Sequence, residues 1–293
     1  MKTRVAGAPI SWGVCEVPEW GYQMDADRVL REVAELGLTA VEAGPDGFLP
    51  PEPAEAAGLL SRHGLERVGG FVPVVLHRPE VRESELRSVE RQARSFAEAG
   101  AGVIVLAAST GKEEYEESVE LGAGEWEELF ATLAMIEEIG RDRGVSVVLH
   151  PHYGTVIERP EHVWRFLEGC ETQLCLDTGH SMVGGGDPAE LAWAAAGRVG
   201  HVHLKDVDGG LVVQILSGET GYEEAVRRGL YKPLGEGDVD VRRVLELLEE
   251  AGYEGWYVLE QDVMIDGEPD PGSGPVHDVR KSLTFFSKVI QTV

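Results

Sequence analysis

Residues 141–155 read RDRGVSVVLHPHYGT. A charged helical end runs into Gly144, an apolar and largely β-branched run follows to Leu149, and polar His150, Pro151 and His152 close it. Glycine directly after a last helical turn supplies the left-handed residue that caps an α-helix. A short apolar run bounded by such punctuation is the pattern of a strand buried on both faces, as parallel sheets require. The same grammar recurs in ELGLTAVEAG at 35–44, EAGAGVIVL at 98–106 and EAGYEGWYVLE at 250–260.

Working outward, eight strands are expected: Val5–Ile10, Ala40–Ala43, Arg67–Val75, Val103–Ala107, Val145–His150, Gln173–Asp177, Val199–Leu204 and Trp256–Glu260. Amphipathic stretches separate them, at Asp25–Leu36, Glu52–Arg62, Glu80–Ala99, Glu125–Asp142, Pro160–Glu168, Pro188–Ala196, Val239–Ala251 and His277–Ile290. In the penultimate one, Val241, Val244, Leu245, Leu247 and Leu248 form an apolar stripe while Arg242, Arg243 and Glu249 face out. Strict alternation means parallel strands joined by helical crossovers. Dividing the 293 residues by eight gives units of about 37, the scale of a (β/α)8 barrel. The expected fold is therefore an α/β TIM barrel filling residues 1–293 as one domain. An open doubly wound sheet is disfavoured, because no Gly-rich dinucleotide fingerprint follows the first strand and GGGDP at 184–188 is not GxGxxG.

The charge sets limits. Lys and Arg total 26 against 52 Asp and Glu, for a net charge of −26. A nucleic-acid surface wants clustered basic residues, and an anionic membrane has nothing here to attract. The three cysteines (Cys15, Cys170, Cys175) form no CxxC pair, a poor disulfide framework that points to a reducing compartment. The opening MKTRVAGAPISWG lacks an apolar leader core and no run of 18 apolar residues occurs. The expectation is a cytoplasmic protein.

A barrel places its active site at the C-terminal ends of its strands. Here the fifth strand ends in His150 and His152, the sixth in Asp177 with His180 just beyond, the seventh carries His201, His203 and Lys205, and the eighth ends at Glu260. Side chains two apart share a strand face, so four successive strands can aim imidazole and carboxylate at one point. A lone HxH is more often a pair of satisfied polar residues, and a strand-terminal glutamate more often a solvated end. Their joint occurrence reverses that reading in favour of a metal or acid–base centre. Imidazoles and carboxylates without thiolate suit Mn²⁺, Co²⁺, Zn²⁺ or Fe²⁺, whereas Mg²⁺ wants more oxygen. Glu42, ending the second strand, is a candidate substrate contact or a solvated end. Trp12, after the first strand, is a candidate pocket wall or a packing aromatic. His63, His162 and His277 fall on helical patterns and read as surface residues, and Cys15 as inert.

At these residues the chain resembles the xylose-isomerase-like barrels of the sugar-phosphate isomerase/epimerase superfamily, and within it the branch of inosose (2-keto-myo-inositol) dehydratases. The resemblance rests on APISWG, LHPHYGTVIERPE, CLDTGH, HVHLKDV, LGEGDVD and YEGWYVLEQD, and runs from the first strand to the eighth. It implies that His150, Asp177, His203 and Glu260 hold a divalent metal, with Mn²⁺ or Co²⁺ expected first. It implies a substrate-contacting role for His180 and a catalytic or supporting one for His152. One position departs from the ketose epimerases and isomerases, which place a glutamate that shuttles protons where His150 stands. A metal-bound imidazole cannot do that, which agrees with the dehydratase branch. The implied substrate is a small keto-polyol. A proton α to its ketone is removed and the β-hydroxyl leaves as water, with His152 and His180 as acid and base in either order and Lys205 on a substrate oxygen. The alternatives are a sugar isomerase or epimerase on the same barrel, or a non-catalytic polyol-binding protein. The superfamily's abasic-site endonucleases need a basic groove that this charge does not allow. Related proteins are dimers or tetramers, so a homo-oligomer is the expectation by analogy.

Between the seventh strand and its helix lies an insertion over residues 207–238. Connections this long inside a compact domain are usually functional. It carries a short helical pattern at Tyr222–Arg228, with Ser217 or Thr220 as possible caps, and reads as a lid over the pocket or as a subunit-packing insertion.

Overall fold

The structure, a computed structural model, describes residues 3–17, 19–112 and 119–292. Strand β1 (Arg4–Gly7), helix α1 (Ala26–Glu35), β2 (Ala40–Val41), α2 (Pro53–Arg62), β3 (Glu66–Arg67) and β4 (Gly69–Val74) come first. Helix α3 (Arg82–Glu98), β5 (Val103–Ala108), α4 (Ala123–Arg143), β6 (Ser146–Leu149), α5 (Pro160–Gly169) and β7 (Gln173–Asp177) follow. Then come α6 (Thr178–Val183), α7 (Pro188–Ala194), β8 (Val199–Leu204), β9 (Asp206–Val207), α8 (Gly209–Leu216), α9 (Tyr222–Arg227) and β10 (Tyr231–Lys232). The chain finishes with α10 (Val241–Glu250), β11 (Trp256–Leu259) and α11 (Pro275–Ile290).

The main sheet runs β3-β2-β1-β11-β8-β7-β6-β5-β4. Its ends meet, because β3 and β4 are two halves of one strand interrupted only at Val68. Arg67 pairs with Val41 on one side and Gly69 with Val103 on the other, and Val68 N–H donates to Val41 O at 3.0 Å. The result is a closed eight-stranded parallel barrel with helices around it, as the alternation predicts.

Local chemistry explains the elements. Asp25 caps α1 by accepting from the Asp27 and Arg28 amides, and Asp240 caps α10 by accepting from Arg243 N. The stripe Val241, Val244, Leu245, Leu247 and Leu248 is buried as its spacing requires. Gly144 sits at φ 70° and returns its N–H to Arg141 O and Gly140 O, which turns α4 directly into β6. Along β6, β7, β8 and β11, outward Val147, Leu149, Leu174, Leu176, Val202, Leu204, Tyr257 and Leu259 join the large core under the helices. The alternate positions Val148 and Cys175 pack with Val105 in the barrel interior, as Val258 does with Ala6, Ala8, Ala40 and Val68.

Some boundaries shift. The first strand stops at Gly7 rather than Ile10, because Pro9 opens a 3-10 turn over Pro9–Trp12. The second is the two-residue pair Ala40–Val41. His162 is buried on α5 rather than on the surface, and His63 is half-buried against Asp27 at 3.0 Å, whereas His277 is exposed. Helix α9 starts from Gly221 with no side-chain cap, so neither Ser217 nor Thr220 serves it. The insertion also holds α8, which the sequence pattern did not announce, and β10, which pairs antiparallel with β9 at its start. Among the described residues no helix is long and apolar enough to cross a membrane.

Candidate active site

The inward alternation continues past the strand ends. His150 extends β6 by donating its backbone N–H to Leu106 O at 2.7 Å, Asp177 closes β7, His203 lies on β8, and Glu260 follows β11 with its N–H donating to Leu204 O at 3.1 Å. Their side chains converge. His203 Nδ1 lies 3.2 Å from Glu260 Oε2 and 3.5 Å from Asp177 Oδ2, and His150 Nε2 lies 3.8 Å from the same Asp177 oxygen. Asp177 is also the N-cap of α6: its Oδ1 accepts from His180 N at 2.7 Å. That fixes the carboxylate and turns Oδ2 toward the cluster.

These atoms fit a divalent cation. Asp177 Oδ2 and His203 Nδ1 are buried and make no hydrogen bond of good geometry among the described residues; they are held by ion-pair contacts with each other, Glu260 and Lys205, an arrangement in which a cation can replace the protons. The other nitrogen of His203, Nε2, faces Glu42 Oε1 at 3.1 Å. A carboxylate taking the Nε2 proton leaves Nδ1 as a lone-pair donor, the usual backing of a metal-ligating histidine. Asp177, His203 and Glu260 each offer a ligand atom within 4.8 Å of the others.

Electrostatics agree. Burial alone would lower the His203 imidazole, but Cys175, Glu260 and Glu42 outweigh it and carry its pKa well above the ordinary range. A field that favours a proton there favours any cation between the same groups. Burial pushes Glu260 up to about 7, against the pull of His203 and Lys205. Asp177 moves the other way: despite burial, Lys205 and His180 hold it well below the usual carboxylate range.

Lys205, two residues after His203, is 3% exposed. Its Nζ lies 2.8 Å from Asp262 Oδ1, 3.1 Å from Glu260 Oε2 and 3.1 Å from His180 Nε2. Burial opposes its charge, yet Asp177, Asp262 and Glu260 keep the ammonium protonated far above neutrality. The rings of His152 and His180 lie 3.8 Å apart. Burial first, and Lys205 after it, lowers His152; burial, His152 and Lys205 lower His180 well below its usual value. Both imidazoles are therefore neutral near pH 7. His152 Nδ1–H donates to Tyr153 O at 2.7 Å, which makes Nε2 the basic nitrogen of that ring.

A cavity of about 330 Å³ opens above this cluster, and His150, His152, His203, Lys205 and Glu260 all line it. Glu42 reaches its edge but is no solvated end: Oε1 is taken by His201 Nε2 at 2.8 Å as well as by His203. Trp12 stands outside it. The indole is fully buried in the core of α1 and α2, with Nε1 donating to Glu32 Oε2 at 2.8 Å, so it packs rather than walls the pocket.

Three further residues belong to the site. Tyr222, on α9 of the insertion, lines the cavity and donates to Asp262 Oδ2 at 3.1 Å, and its hydroxyl lies 2.9 Å from that of Tyr231. Asp262 was readable, since it sits two residues beyond Glu260 on the same face. Neither tyrosine had a sequence signal, because only the folded insertion brings them in. Asp206 staples that insertion: its carboxylate accepts from the amides of Val207, Gly235, Gly237 and Val239 at 2.8–3.1 Å. A Cβ on Gly237 would stand 2.3 Å from Asp206 Oδ1, so the close approach needs glycine.

Known proteins match this picture. A family model for xylose isomerase-like TIM barrels covers residues 30–288. An inosose dehydratase of Geobacillus kaustophilus (strain HTA426) is 30% identical over 270 residues, spanning 88% of this chain and 87% of that protein. Among solved structures, an L-ribulose 3-epimerase matches with a TM-score of 0.72 at 15% identity, over 99% of this chain and 95% of that one. The IOLI protein, solved with a zinc atom, matches with a TM-score of 0.70 at 13% identity, over 99% of both chains.

Proposed function

The chain belongs to the xylose isomerase-like TIM barrel family, and from that premise we propose that it is a metal-dependent dehydratase, a hydro-lyase that removes water from a keto-polyol such as 2-keto-myo-inositol in inositol catabolism. The observation that carries the reading is the buried convergence of Asp177, His203 and Glu260, each offering a ligand atom within 4.8 Å of the others, beside two neutral imidazoles and a protonated lysine. The inosose dehydratase that matches most of the chain supports the choice of substrate.

In this reading His150, Asp177, His203 and Glu260 hold the cation, and Glu42 fixes the His203 ring from behind. When bound, a divalent cation of the Mn²⁺ or Co²⁺ kind would act as a Lewis acid on the substrate carbonyl. The ammonium of Lys205, held between Asp262 and Glu260, binds a substrate oxygen and steadies negative charge that develops there. A neutral imidazole, His152 or His180, takes the proton α to the ketone. The base becomes an imidazolium as it takes that proton, and the β-hydroxyl leaves as water with the proton returned through the other histidine, whose ring lies 3.8 Å away. Tyr222 and its insertion close over the cavity as a lid and keep bulk water from the elimination. The protein works in the cytoplasm on this reading, where its three free cysteines stay reduced.

The test is incubation of metal-reconstituted protein with 2-keto-myo-inositol while the ultraviolet absorbance of the enolised dione is followed. A rising signal that a chelator abolishes and Mn²⁺ or Co²⁺ restores is the expected result. Epimerised product from free ketoses with no dione would replace this reading with an isomerase or epimerase. The ligand set is tested by elemental analysis of His203→Ala and Glu260→Ala, which should lose bound metal. Metal content equal to wild type would mean other ligands.

A further inference from the structure

Cys175 lies two residues before Asp177 on β7 and shares its inward face. It is fully buried, packed beside Val105 and Val148 in the layer beneath the carboxylates. Its sulfur, one nitrogen of His150 and one nitrogen of His203 all lie within 4.8 Å of one another. Among the described residues His150 Nδ1 has no hydrogen-bond partner and His203 Nδ1 only ion-pair contacts with Glu260 and Asp177, and both residues are 2% exposed. A thiol is a weak donor with one hydrogen and cannot satisfy two imidazoles. Three convergent donors of this kind, two nitrogens and a sulfur in a dry interior, match the preferences of soft cations.

We propose that His150, Cys175 and His203 form a second, deeper cation site, selective for thiophilic ions such as Zn²⁺ and Cd²⁺. Binding breaks the S–H bond and forms a metal–sulfur bond; the proton leaves to solvent and no electrons change hands. Metal–sulfur and metal–nitrogen bonds run to roughly 2.3 and 2.1 Å, and the three donor atoms already lie within 4.8 Å of one another. The site shares both imidazoles with the oxygen-rich cluster above it. A soft ion seated below therefore withdraws two ligands from the upper set and inhibits. That consequence, though not the site itself, rests on the reading of the upper cluster as the working metal centre. Hard ions such as Mn²⁺, which prefer carboxylate, stay above.

The full-length, metal-free protein is titrated with Cd²⁺, and the ultraviolet thiolate-to-metal charge-transfer band is recorded. The band is expected to saturate at one equivalent in wild type, to survive Cys15→Ser and Cys170→Ser, and to vanish in Cys175→Ser, with Mn²⁺ giving none. No band in wild type overturns the proposal, whatever the variants do. So does a band that persists in Cys175→Ser protein whose far-ultraviolet circular dichroism is native; Cys175→Ala serves as the second variant if serine disrupts the interior. A dehydration assay that fails with Mn²⁺ while the band is present would instead strike the upper cluster, so the two failures are distinguishable.

Discussion

His203 turns Nε2 to Glu42 Oε1 at 3.1 Å and so aims Nδ1 at Glu260 and Asp177. Glu42 is held in turn by His201 at 2.8 Å, which makes a buried chain from the barrel interior to Glu260 and Asp177. On the proposed reading this carboxylate orients a metal ligand from behind, so Glu42→Gln should weaken metal binding by about 10–100-fold. The amide can still accept from one imidazole, so the barrel should stay folded, with circular dichroism unchanged. Metal affinity equal to wild type by calorimetric titration would show that Glu42 does not orient His203.

Glu260 sets the pH response of that binding. Its carboxyl, raised to about 7 by burial against the pull of His203 and Lys205, must ionise to serve as a ligand. Protonation therefore competes with the cation below about 7 and ceases to matter above it. The Glu260 proton should cost roughly fivefold in metal affinity as pH drops from 7 to 6, on top of the His203 proton that wild type and variant share. In Glu260→Gln, which cannot titrate there, the affinity should be weaker but flatter over that interval. Equal slopes for the two proteins would assign the competing proton elsewhere.

Much of this was legible in the sequence, for identifiable reasons. Glycine after several of the helices and the alternation of polar residues at the strand ends are local signals, so the barrel and the inward set His150, Asp177, His203 and Glu260 could be read without knowing any distance. Trp12 was ambiguous because a residue just past a strand can turn either way; the 3-10 turn begun by Pro9 sends its indole to Glu32 on α1. Tyr222 and Tyr231 meet Asp262 only after some thirty residues of insertion have folded back, and loop closure leaves no periodic mark. His162 read as a surface residue because its helix is amphipathic, but it falls on the inward stripe with Val163 and Phe166.

Tyr222 ties the insertion to the pocket through hydrogen bonds with Tyr231 and Asp262. Tyr222→Phe removes the hydroxyl and leaves buried Asp262 with one donor fewer, a loss of about 1–3 kcal/mol for an unsatisfied buried partner. If the bond positions Asp262, and through it Lys205 at 2.8 Å, kcat/KM should fall by about tenfold or more with metal affinity preserved. Steady-state kinetics beside metal titration separates these effects. A drop in metal affinity without a kinetic defect would move Tyr222 out of the catalytic pocket and into support of the metal cluster.

Asp206 holds the base of the same insertion by a different device. Four backbone amides, from Val207, Gly235, Gly237 and Val239, converge on one carboxylate that is otherwise buried. Burial raises its pKa while the four amides pull it down, with the net shift upward. Asp206→Ala leaves those donors without an acceptor, at about 1–3 kcal/mol for each that water cannot reach. The damage should stay local, because the barrel ladder from β8 to β11 does not pass through Asp206. Hydrogen exchange should therefore quicken across residues 207–238 while the amides of β7 and β8 stay protected. Turnover should fall with it, since Tyr222 and Tyr231 ride on this segment. Exchange that quickens equally across the barrel strands would mean that the insertion is part of the core rather than a lid folded onto it.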